Sequence, residues 1–150
     1  MSSRTVAFSA RGLLLSSLLV GCVSCTQNEV VTHIQEDHAR LQSIATIYAY
    51  ACRDLGRPPK NTDELKPTFA KAGLEDVREY FLSTRDGKPY VIIWGVDLEQ
   101  KYRGSKLLLA YEQEGLEGRR LAIACNHTLA ELTQDEFDDL QWPAGHQPKK

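Results

Sequence analysis

The chain is expected to fold as an α+β domain: a long N-terminal amphipathic helix packed on an antiparallel β-sheet, closed by a short C-terminal helix. Three observations predict it. Apolar residues from Ile34 to Leu55 recur at helical steps. After Gly73 the period shifts towards two, in β-branched and aromatic runs divided by turn residues. Helical segments therefore come first and strands come after them in a block, the order of an α+β fold with the helix laid on one face of the sheet.

Each element has its local cause. Ile34, Leu41, Ile44, Tyr48, Cys52 and Leu55 form the stripe of the first helix, while Gln35, Glu36, Arg40, Gln42 and Arg53 take the opposite face. Gly56 and Pro58-Pro59 stop it. Asn61, with Glu64 three residues on, reads as an N-cap for a helix over about Thr62 to Lys71, limited by Pro67 and ended by Gly73. Tyr80 to Thr84 is expected as a strand, and Asp86-Gly87 as a tight turn. Tyr90 to Trp94 is expected as a central strand, with a polar loop after it from Gly95 to Ser105. Lys106 to Glu112 and Arg119 to Cys125 are expected to pair across a hairpin at Gln113–Gly118. Asn126-His127 then turns the chain into a strand at Thr128–Leu132. Thr133 and Glu136 form a capping box opening a last helix that reaches Leu140. The domain is expected to span residues 33–142, with 143–150 a flexible tail.

The first residues carry a different signal. Arg4 and Arg11 precede a short apolar run, Gly12 to Val20, which ends at Leu19-Val20-Gly21-Cys22. The run is too short for a permanent span, which needs about 20 apolar residues. The pattern resembles the lipobox of bacterial lipoproteins. The resemblance implies cleavage of residues 1–21, acylation of Cys22 and a lipidated tether over residues 22–32. Several acyl chains would hold the protein to a membrane without a helix. Val23 is not the Asp that retains such proteins at the inner membrane in some bacteria, so an outer-membrane, periplasm-facing location is expected by the family's rule.

Composition narrows the partners. The whole chain has 18 Lys+Arg against 20 Asp+Glu, a net charge of −2. The leader holds two of the arginines and no acid, so the mature chain is more acidic still. Nothing attracts phosphates, and nucleic acid is not expected as a partner. No cofactor is expected: Gly115 and Gly118 lack the helix that completes a phosphate-binding loop. No metal is expected either. His33 and His38 fall on different helix faces, and His127 and His146 stand in a turn and the tail. The acidic group Asp135, Glu136, Asp138 and Asp139 reads as a favourable helix N-terminus.

Of four cysteines, Cys22 goes to lipid and Cys25 lies in the tether. Cys52 lies on the helix stripe, and Cys125 shares strand parity with Leu121 and Ile123, so both point to the helix–sheet core. Two outcomes are open. A disulfide would close a loop of about 70 residues and add roughly 4 kcal/mol by chain entropy. The alternative is two buried thiols. A catalytic pairing of Cys125 with His127 has no third group to orient it.

The element order resembles the globular part of type II secretion pseudopilins. Gly56-Arg57-Pro58-Pro59-Lys60-Asn61-Thr62-Asp63-Glu64-Leu65 is similar to that family's turn after the long helix. Asp86-Gly87-Lys88-Pro89-Tyr90 is similar to its Gly-x-Pro-Tyr approach to a strand. The resemblance implies the fold and a role in protein–protein assembly. It transfers no site residues: a lipobox stands in place of a prepilin leader, and no Asp-rich calcium loop is present.

The expected function is a non-enzymatic, lipid-anchored envelope protein that binds another protein, with a secretion-associated role implied by the resemblance. A lipoprotein that binds a small molecule or peptide is the alternative. The binding surfaces expected are the exposed sheet edge and the Gly95–Ser105 loop, with Asp97, Tyr102 and Arg103 as candidates, since long loops in compact domains are often functional. Tyr90, Trp94, Tyr102, Tyr111 and Trp142 are candidates for a groove, although strand aromatics more often fill a core.

Overall fold

A computed structural model describes residues 24–74, 76–98, 107–143, 145–146 and 148, with side chains from Ile34 onward. It is an α+β fold. α1 (Ser24–Leu55) leads into a 3-10 turn (Thr62–Glu64), α2 (Lys66–Lys71) and α3 (Val77–Tyr80). Then come β1 (Val91–Ile92), β2 (Leu108–Tyr111), β3 (Arg119–Ala124), β4 (Leu129–Thr133) and α4 (Gln134–Asp138). The four strands form one sheet in the order β1-β2-β3-β4, each pair antiparallel.

α1 lies across β2 and β3. Leu41, Ile44, Ala45, Ile47, Tyr48 and Ala51 are its buried residues, the apolar stripe read from the sequence. The helix starts well ahead of His33, so the segment expected as a tether is helical from Ser24. The turns that contact the sheet supply the costly nucleus, and adding one residue at a time beyond them costs little. Residues 22 and 23 lie outside the described residues.

The expected second helix is split. Asn61 does cap it, its Oδ1 accepting from Glu64 N–H at 3.1 Å. Pro67 stands at the start of α2, where its missing N–H is harmless. The Tyr80–Thr84 strand is also corrected. Tyr80 ends α3, and the stretch pairs only through a single bridge between Leu82 and Pro89. The predicted central strand at Tyr90–Trp94 is the edge strand β1, and only Val91 and Ile92 pair with β2.

Both faces of the sheet are covered. On β3, Leu121, Ile123 and Cys125 face α1, while Arg120, Ala122 and Ala124 face the other way; all six are buried. Tyr111, opposite Ala122, meets Phe137 of α4 at 5.0 Å between ring centroids. Trp142 packs against both rings, tilted to Tyr111 and edge-on to Phe137. His146 closes the group, its Nε2 3.0 Å from the Tyr111 hydroxyl. Within the stretch expected as a flexible tail, His146 is therefore docked on this cluster. Aromatic area, not periodicity, holds it.

Candidate functional site

Four consecutive residues, Ser83-Thr84-Arg85-Asp86, tie the molecule together. Each reaches a different element. Ser83 Oγ donates to Glu112 Oε1 at 2.8 Å, just past β2. Thr84 gives Asp37 of α1 its N–H at 2.8 Å and its hydroxyl at 2.9 Å. Arg85 donates to Glu131 Oε1 of β4 at 2.9 Å and lies 3.7 Å from Glu112. Asp86 Oδ2 accepts from the N–H groups of Glu114 and Gly115, both at 3.0 Å, in the β2–β3 turn.

The centre of this network is dry. Asp37 and Glu112 are both fully buried. Tyr90 donates its hydroxyl to Asp37 at 2.6 Å. Burial, then the neighbouring Asp37 carboxylate, raises the Tyr90 phenol, so it stays protonated and donates. Burial also pushes Glu112 above the usual carboxylate range, against the pull of Leu121 N–H, Ser83 and Arg85. Buried charges are tolerated only when paired and hydrogen-bonded, and here every carboxylate oxygen has a donor. A network closed in this way leaves no oxygen free for a substrate. Its chemistry is to position Tyr90 and the chain beyond it.

Beside Tyr90 a groove of about 620 Å³ opens at the edge of β1. Phe81, Leu82, Pro89, Tyr90, Ile92 and Trp94 give it an apolar wall. Asp76, Arg78 and Glu79 of the α3 segment stand at its rim together with Thr62. The far side of Trp94 is held by Tyr48, 6.3 Å away between ring centroids.

The other predicted sites separate. Asp97 is half-buried between buried Val96 and Leu98. Tyr48 pins that stretch, its hydroxyl donating to Val96 O at 3.1 Å and accepting from Val96 N–H at 2.9 Å. Tyr102 and Arg103 lie outside the described residues. Of the aromatic candidates, Tyr90 and Trp94 line the groove, whereas Tyr111 and Trp142 fill the core cluster.

Of the two outcomes left open for the cysteines, the structure shows no disulfide between Cys52 and Cys125. Both lie near Tyr48, whose phenol is raised by burial first and by the two cysteines in addition. This fully buried ring fills the space below the helix, and Cys52 is only half-buried. Burial pushes the Cys125 thiol up to about 11, and a protonated thiol is a poor nucleophile. Among the described residues no group of three His, Cys, Asp or Glu is placed to hold a metal ion. No described helix is long and apolar enough to cross a membrane.

The reading by sequence missed Asp37 and the groove. Asp37 had a signal: it lies on the same stripe as Leu41, Ile44 and Tyr48, at helical steps, where a carboxylate must find donors. The groove had none, because residues far apart in sequence build it. No family model, curated protein or solved structure matches this chain.

Proposed function

We propose that this chain is a lipid-anchored protein of the bacterial envelope whose pseudopilin-like domain binds another protein, with a secretion-associated role. One observation carries the anchor: Arg4 and Arg11, the Gly12–Val20 run and Leu19-Val20-Gly21-Cys22 stand in the order that lipoprotein maturation uses. The binding half is supported by the fold's economy. The buried carboxylates Asp37 and Glu112 are taken up by donors of the fold itself, and an apolar groove opens at a strand edge. A long helix leading into an antiparallel sheet is also the arrangement that the pseudopilin resemblance implies.

Cys22→Ser tests the anchor. Expressed in a bacterial host with labelled palmitate, the parent chain is expected to take up label and fractionate with membranes. The variant should lose the label and keep its leader. Labelling of the variant equal to the parent would sink the anchor. Crosslinking in the host then tests the binding half, with a stoichiometric protein partner expected.

The groove's volume also falls within the range of small-molecule sites, roughly 300–1,000 Å³. A ligand-binding lipoprotein is therefore the second reading. A single uncrosslinked species, together with thermal stabilisation by a small molecule, would favour it.

A further inference from the structure

The outer edge of β1 is open at one place. N–H groups of an antiparallel strand alternate between its two sides. Ile93 donates to Leu109 O at 2.8 Å, so Ile92 turns its own N–H and C=O away from β2, towards the groove. Upstream, the edge is closed by Tyr90 N–H donating to Phe81 O at 2.8 Å. Downstream, Gly95 N–H donates to Pro59 O at 3.1 Å. Between these closures Ile92 has no backbone partner on its outer side among the described residues. The cause is α3: the chain enters pairing only at Phe81, too late to cover Ile92.

The surroundings of this gap suit a strand with one apolar face. Leu82 is 42% exposed and lines the groove together with Trp94. On the rim, Asp76 Oδ1 caps α3 by accepting from Arg78 N–H at 3.1 Å, and Oδ2 has no partner among the described residues. Glu79 is 66% exposed and stands 3.5 Å from Arg40. That guanidinium is already committed to the carbonyls of Glu79 and Leu82, at 2.7 Å each. Arg40 has a second carboxylate, Glu36, also 3.5 Å away, so Asp76, Glu79 and Glu36 stand against Arg40 and Arg78 and leave one net negative charge, which favours a cationic partner.

We propose that this groove takes an extended segment of another protein, alternating apolar and basic residues, which joins the sheet as a short strand at Ile92. The proposal rests on the protein-binding reading above and names the partner's chemistry. Main-chain bonds at Ile92 set the register, apolar side chains lie against Leu82 and Trp94, and Lys or Arg answers Asp76 and Glu79.

The test uses the full chain in detergent and two fluorescein-labelled hexapeptides, one alternating Val and Lys, the other Val and Glu. Anisotropy should show saturable binding of the Lys peptide, about tenfold or more tighter than the Glu peptide. Hydrogen exchange at the Ile92 amide should slow in the complex. The double variant Asp76→Asn, Glu79→Gln keeps the cap acceptor and removes both charges. It should bring the two peptides to within about twofold of each other. Equal affinities for the parent chain, no saturation at millimolar peptide, or slowed exchange on another face would each overturn the groove assignment. A partner crosslinked on another face would also overturn it while keeping the protein-binding reading. If no partner were crosslinked in the host, that broader reading would fail by itself.

Discussion

Asp37 shows how much one side chain decides here. Three donors converge on it, two from Thr84 and one from Tyr90, and its residue is fully buried. Asp37→Asn keeps the shape but turns one acceptor oxygen into a donor that faces donors. Leaving such groups unsatisfied costs about 1–3 kcal/mol. The urea midpoint of Asp37→Asn is expected to fall accordingly, with an unchanged slope. A midpoint equal to the parent's would mean that water reaches the site and that the network is not closed. Asp37 was legible as a carboxylate on an apolar stripe, but its partners were not. Thr84 and Tyr90 meet it only because the chain returns to α1 across the molecule.

At the scale of elements, what the sequence predicted well was local. Thr133 accepts from Glu136 N–H, and Glu136 Oε2 accepts from Thr133 N–H at 2.8 Å, the reciprocal cap read from two residues. The β2–β3 hairpin was equally legible from its glycines. Gly115 has φ +72, and a Cβ built there would lie 2.1 Å from Arg119 O. That oxygen accepts from Leu116 N–H at 2.9 Å within the turn. Gly115→Ala therefore combines a left-handed backbone with a backbone clash, at a cost of about 1–3 kcal/mol for the strain alone. The variant should unfold earlier and lose exchange protection first at Leu116 and Arg119. Protection lost elsewhere first would move the weak point out of the hairpin. The stretch Tyr80–Thr84 was misread because its aromatic, β-branched look is shared by strands and by capped corners. The Asp76 cap and the bonds of Arg40 to the Glu79 and Leu82 carbonyls favour the corner.

For the molecule as a whole, the helix-on-sheet layer was legible from period alone, and the second layer was not. Trp142 and His146 sit in a stretch with Pro and Gly and no repeat, so nothing short of three-dimensional packing marks it. This layer should make stability depend on pH. Burial lowers the His146 pKa from its ordinary 6.5. The unfolded chain therefore takes the proton first on acidification. The contribution is present above pH 6.5 and is lost as pH falls through that value towards the folded pKa. Between about pH 7.5 and about pH 5.5 the urea midpoint should drop for the parent chain, and drop less for His146→Gln. Equal drops would assign the pH dependence to other groups.

α1 enters the fold without a break. Among the described residues it runs from Ser24, and the first described side chain that is fully buried is Asp37, a stretch of about 20 Å at 1.5 Å per residue. On the anchored reading, acylated Cys22 lies only two residues before this rod. A rod transmits torque as well as length, which a loose tether cannot do. The domain would then stand off the bilayer as a flag on a mast, its heading set by how the lipid end is seated. Partners approaching within the plane of the membrane would meet the β1 edge at a fixed height and bearing.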